Sequence, residues 1–208
     1  MTITFAIATP PTRSATEPSP KSKFVNASSA ACCASSASDG RVTSTTQTDL
    51  LVRRSNFISE FEGGGISTIV TSAELLDVIG GNLIDGRFIK DGLSDIPVTV
   101  LGNVTAQRLG INNLSTPTKI LIENQWFGVV GILDELKIHP DLDRSVFIGY
   151  GVAKILFDID EEPTTIYLRA NPTFIEDVVE VLAPSMNPEN PDQVEAVSYT
   201  HLTLPTKA

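Results

Sequence analysis

The stretch from Lys119 to Leu133 constrains the fold most. Lys119 to Glu123 alternates in strand fashion, Asn124-Gln125 is turn-forming, and Trp126 to Leu133 returns as a second, apolar strand. Two strands joined so tightly can only be antiparallel.

The surrounding apolar runs are separated by turn residues at intervals typical of a mixed α/β domain. Ile66 to Thr71 is β-branched and predicts a strand after Gly63-Gly64-Gly65. Ser72 is placed to N-cap a short helix over Ala73 to Val78, with Leu75, Leu76 and Ile79 facing inward and Gly80-Gly81 ending it. Val98 to Leu101 is a continuous apolar run, hence a buried strand, closed by Gly102-Asn103, and Val104 to Leu109 predicts a helix ended by Gly110. Ser145 to Ile148 predicts a strand, and Val152 to Phe157 a helix with Ile155 and Leu156 available to a core. Thr164 to Arg169 predicts a further strand. Thr173 to Leu182 carries Phe174, Val178, Val181 and Leu182 at helical spacing, with Thr173 and Glu176 as a capping box and Pro184 as the stop. Strands alternating with short helices, and including a hairpin, predict an α+β fold: a mixed β-sheet with short helices packed on one face.

The two ends of the chain differ in character. Residues 1–50 are dominated by Ser, Thr, Ala and Pro and offer too little apolar surface to offset chain entropy. They are expected to be disordered or translated from the wrong frame, and to carry no function. Residues 51–196 are expected to form the folded domain. From Val197 to Thr206 the sequence matches a one-frame translation of the transposon-end adapter used in sequencing libraries. Residues 197–208 are therefore expected to be a non-native tail. The native chain is expected to continue beyond the break.

Charge and residue types narrow the function classes. A net charge of −10 argues against a nucleic-acid binder, which needs a basic stripe against phosphates. Cys32 and Cys33 are adjacent and cannot form a spaced metal half-site. No apolar run approaches the ~18 residues of a membrane span. Of the two histidines, His201 lies in the adapter-like tail, and His139, in the loop Ile138-His139-Pro140, reads as a surface residue rather than a base. Asp158, Asp160, Glu161 and Glu162 begin like a calcium loop but lack its glycine and its terminal glutamate, which leaves a solvated turn. Asp141 and Asp143 are expected at most to pair with Arg144. Gly63-Gly64-Gly65 and Gly149-Tyr150-Gly151 lack the rest of a phosphate-binding fingerprint. No catalytic, cofactor-binding or metal-binding residue is expected, and no cofactor.

An ordered series of motifs remains. Leu83-Ile84-Asp85-Gly86-Arg87-Phe88 is followed by Pro97-Val98-Thr99-Val100-Leu101-Gly102, with Ala106 and Leu109-Gly110. Then come Gln125-Trp126-Phe127-Gly128-Val129-Val130-Gly131-Ile132-Leu133, Leu142 to Ile148, and Thr164 to Ala170. Physically, Gly86 permits a turn, Arg87 can pair with a carboxylate and Phe88 anchors the loop in the core. Gly102 and Gly110 end a strand and a helix. Trp126, Phe127 and Gly131 belong to the same scaffold.

Over about Phe57 to Glu195 this succession resembles the extracytoplasmic core domain of MacB/FtsX-type ABC transporter permeases. The resemblance implies a non-catalytic domain on the outer side of the cell membrane, between the first and second transmembrane helices of a permease. It also implies a partner ABC ATPase subunit and a second permease copy, joined through helices outside this sequence, that drive export or release of a substrate. Two other classes are kept beside it. One is a soluble module that binds a peptide or lipid with Trp126 as aromatic anchor. The other is a truncated soluble enzyme with His139 and Asp158 to Glu162 as remnants of its site.

Overall fold

The structure, a computed structural model, describes residues 3–8, 41–48, 50–53, 66–90, 92–137, 139–159, 163–170, 175–186, 191 and 194–200. The chain forms two compact units, one of residues 1–44 and 164–208 and one of residues 45–163.

The second unit holds the motif series. Its strands are the second half of β2 (Arg41–Thr48), β3 (Val52–Arg53), β4 (Ser67–Thr71), β5 (Leu83–Gly86), β6 (Val98–Leu101), β7 (Lys119–Ile122), β8 (Gln125–Leu133) and β9 (Ser145–Gly149). Between them lie helices α1 (Leu75–Ile79), α2 (Asn103–Arg108), α3 (Pro140–Asp143) and α4 (Tyr150–Phe157). The sheet runs β2, β4, β9, β6, β8, β7, β3, with β5 along the later part of β8. β4 with β9 and β6 with β8 are parallel; β2 with β4, β6 with β9, and β8 with both β7 and β5 are antiparallel. The sheet is mixed and the fold is α+β.

The hairpin forms as expected, with its turn one residue earlier. Ile122 pairs with Gln125, so Glu123 and Asn124 are the loop, at φ +44° and +65°. Two successive positive φ values make the tight turn whose twist matches the flanking strands. Glu123 is a poor residue for that conformation, and Leu51 holds it there. The Glu123 N–H donates to the Leu51 carbonyl at 3.1 Å, and the Leu51 N–H donates to Glu123 Oε1 at 2.8 Å.

Successive side chains on a strand point to opposite faces, and the central strands bury both. Val146, Ile148, Leu101 and Ile132 join one core with Val52, Val70, Ile120, Ile122, Phe127, Ala106, Val152 and Ala153. Phe147, next to Val146 and Ile148, turns to the other face, where its ring lies 6.1 Å from that of Phe88. β9 is buried throughout because both of its faces are covered.

Several local expectations also shift. α1 begins at Leu75 with Glu74 as its N-cap residue, and the Ser72 hydroxyl donates to the Glu74 carboxylate. Gly80 ends α1 at φ +67°, as expected. α4 starts at Tyr150 and buries Val152 and Ala153, leaving Ile155 69% and Leu156 38% exposed, so neither of the latter supplies the core.

The first unit contains β1 (Ile3–Ala8), the first half of β2, β10 (Thr165–Ala170), α5 (Ile175–Met186) and β11 (Glu195–Thr200). β1 pairs antiparallel with both β10 and β11. Leu168, Ala170 and Leu182 form its core, with Val42, Val178 and Val194 packed against them. Regular structure therefore occurs within residues 1–50, at Ile3–Ala8 and Arg41–Thr48, and Val197–Thr200 continue strand β11. Ladder bonds use the backbone alone, so a Thr- and Ser-rich segment can pair without an apolar stripe to signal it. α5 passes through Pro184 and ends at Met186, a correction to the expected stop. A proline there removes one i→i−4 bond, and the helix ends shortly after it. Val181, expected on the inner stripe, is exposed. Thr173, Phe174, Asp160, Glu161, Glu162, His201, Gly63, Gly64, Gly65, Cys32 and Cys33 lie outside the described residues.

Candidate functional site

The motif residues converge on β8 and the segments that flank it. Gly86 ends β5 at φ +78°, and its α-carbon faces the Val130 carbonyl so closely that a Cβ would collide with that oxygen. The Arg87 N–H donates to the same carbonyl at 2.9 Å. Across the pairing, Gly131 lies opposite Gly86, and a Cβ on it would strike the Arg87 carbonyl. Two glycines thus let β5 and β8 cross closely at the bulge of β8. One residue earlier, the Asp85 carboxylate accepts the Leu114 N–H at 2.8 Å and ties the 111–114 loop to β5. Phe88 is buried and anchors the segment in the core as expected. Among the described residues no carboxylate forms an ion pair with the exposed Arg87, whose part here is played by its backbone.

Gly102 fits a second tight crossing. A Cβ there would lie 2.5 Å from the carbonyl oxygens of Leu142 and Asp143, while the Gly102 N–H donates to the Ser145 carbonyl at 2.9 Å. Gly110 follows α2 at φ +64°, which ends the helix as the sequence indicates.

The loop from Asp134 to Arg144 differs from expectation. Asp143 does not pair with Arg144; it is buried, and both of its carboxylate oxygens accept the Leu136 N–H. Burial pushes its pKa up, the Leu136 bond opposes that rise, and the charges of Glu135 and Asp134 add to it. His139 is 6% exposed rather than on the surface, and burial lowers its pKa against the opposing pull of Asp141. Its N–H donates to the Leu136 carbonyl and its carbonyl accepts from Leu142, so it is built into the entry to α3. Asp158 is exposed at φ +52° and closes α4. Among the described residues, no group of three or more His, Cys, Asp or Glu side chains is placed to hold a metal ion.

What the region offers to a partner is apolar surface. Trp126 is 48% exposed, beside the fully buried Phe127, whose ring stacks on Phe157 at 6.0 Å. β6 and β8 run in parallel with Val98 opposite Gly128, and the Gly128 N–H donates to the Pro97 carbonyl. Two residues before Val98, outside β6, Ile96 is also exposed. Sequence reasoning singled out Trp126 and missed Ile96, which lies just outside its strand and carries no pattern of its own.

No family model and no curated protein matches the chain. Solved structures do. The periplasmic region of MacB from Actinobacillus actinomycetemcomitans superposes with a TM-score of 0.63 at 17% identity, covering 93% of this chain and 87% of that one. The extracellular domain of the noncanonic ABC-type transporter YknZ from Gram-positive bacteria superposes with a TM-score of 0.62 at 13% identity, covering 93% of this chain and 99% of that one. Among the described residues no helix is long and apolar enough to cross a membrane. The likeness spans both compact units, and the fold of this chain is that of the MacB-type periplasmic domain.

Proposed function

We propose that this chain is the extracytoplasmic domain of an ABC transporter permease subunit. The observation that carries the reading is likeness to two transporter domains, one periplasmic and one extracellular, over 93% of this chain in each case. The ordered motifs from Leu83 to Ala170, which resemble those of the family, are in keeping with it.

In this reading the domain is non-catalytic. A partner ATPase hydrolyses ATP on the cytoplasmic side, and membrane helices outside this sequence carry the movement to the domain. A second permease copy completes the transporter, and the movement drives export or release of a substrate. Gly86, Arg87, Phe88, Gly102, Gly110, Phe127 and Gly131 serve as scaffold, and Trp126 is available to a contact. The test is recovery of the full-length protein from its native membranes. An ABC ATPase is expected to copurify with it; a protein found only in the soluble fraction, without an ATPase, contradicts the proposal.

The exposed indole of Trp126 favours one second reading, a soluble module that captures a peptide or lipid with Trp126 as its anchor. It predicts the soluble outcome of the same fractionation.

A further inference from the structure

We propose that the segment Gly92–Pro97 is a strap on helix α4, and that strap and helix open as one unit. The first N–H groups of a helix have no partner inside it. In α4 two of them are taken by a residue far away in sequence: the Gly151 N–H donates to Ser94 Oγ at 3.1 Å and the Val152 N–H to the Ser94 carbonyl at 2.7 Å. The N-cap residue Gly149 has no side chain to do this. Its bareness also sets the approach, because a Cβ on Gly149 would lie 2.6 Å from both the α-carbon and the carbonyl oxygen of Ser94.

The other bonds of the strap are mostly its own. Leu93 N–H donates to Lys90, Ile96 N–H to Leu93 and Val98 N–H to the Ile96 carbonyl, while the Pro97 carbonyl accepts from Gly128 at the edge of β8. Gly92, Asp95, Ile96 and Pro97 are exposed, and Leu93 and Ser94 are partly so. Segments with few buried apolar contacts open at low cost. A helix of 8 residues is too short to persist on propensity alone, so release of Ser94 loosens α4 as well. The strap also carries the exposed Ile96. A contact at Ile96 and a displacement of α4 are therefore linked through Ser94. The linkage does not depend on the transporter reading.

Two substitutions test it, with residue-resolved amide hydrogen exchange as the readout on the full chain. Ser94→Ala removes the side-chain bond to Gly151, and Gly149→Ala pushes the Ser94 backbone away. Both are expected to raise exchange roughly 5-fold across residues 92–98 and 150–157 together, and at Gly128, whose N–H is held by Pro97, with the rest of the hairpin 119–133 unchanged. Faster exchange in only one of the two segments, in neither, or equally throughout the hairpin would overturn the proposal.

Discussion

Asp143 holds the main chain of Leu136, with its two carboxylate oxygens accepting one N–H at 3.1 and 3.0 Å in a site only 4% exposed. Burial raises the pKa of this carboxyl above its ordinary 3.8, so the folded chain binds the proton more tightly than the unfolded one. Stability attached to that proton is fully present below 3.8 and is lost as pH rises through the folded value. Asp143→Asn keeps an acceptor and removes the buried charge, so its stability at pH 7 should equal or exceed that of the parent, with the difference vanishing in acid. Asp143→Ala leaves the Leu136 N–H unpaired and should cost about 1–3 kcal/mol. Urea titrations at several pH values measure both.

His139 has the opposite sign. Burial lowers its pKa below 6.5, so the unfolded chain takes up the proton first and stability is lost as pH falls from 6.5 through the folded value. His139→Asn should flatten that part of the stability profile while leaving the slope near the Asp143 window in place. An unchanged slope below 6.5 would contradict the buried, neutral imidazole.

Gly86 and Gly92 both have positive φ, +78° and +87°, yet they should respond differently to alanine. At Gly92 nothing lies within 4 Å of an added Cβ, leaving only the backbone penalty of about 1–2 kcal/mol. At Gly86 the Val130 carbonyl blocks the position, so β5 must separate from β8 and the loss should be clearly larger. Paired thermal denaturation curves decide this.

Trp126 and Phe127 are neighbours on opposite faces of β8. Phe127→Ala empties a fully buried site and should cost about 3–5 kcal/mol. Trp126→Ala should change stability by roughly 0.5 kcal/mol or less, because half of the indole is already in solvent. Chemical denaturation of the two variants separates scaffold from contact surface, and a large loss at Trp126 would place it in the core.

The same pair shows what was legible in the sequence. Apolar runs marked Val98–Leu101, the hairpin and Ser145–Ile148, because burial on two faces leaves an unbroken signal. Periodicity found α4 but not its buried side, since Ile155 stands only one turn from Val152 and it is packing that buries Val152 and Ala153 and leaves Ile155 exposed. β5 was missed as a strand because its pairing with β8 depends on two glycines far apart in sequence. β2 was missed because Thr and Ser give a strand no apolar alternation, and β1 because Ile3, Phe5 and Ile7 make only a short run ahead of a Ser-, Thr- and Pro-rich stretch. At the candidate site, Gly86 was visible as a turn residue, Gly102 as the end of a strand and Phe88 as a core anchor. The capping of α4 by Ser94 was not, because nothing local at either end requires it.

The most direct test of the transporter reading is long-read sequencing of the gene through both ends of this frame. The account predicts one apolar segment of about 20 residues upstream, about three more downstream, and a neighbouring ATPase gene. A stop codon soon after Glu195, with no apolar segment upstream, would contradict it and leave a soluble module whose ligand must be sought at Trp126.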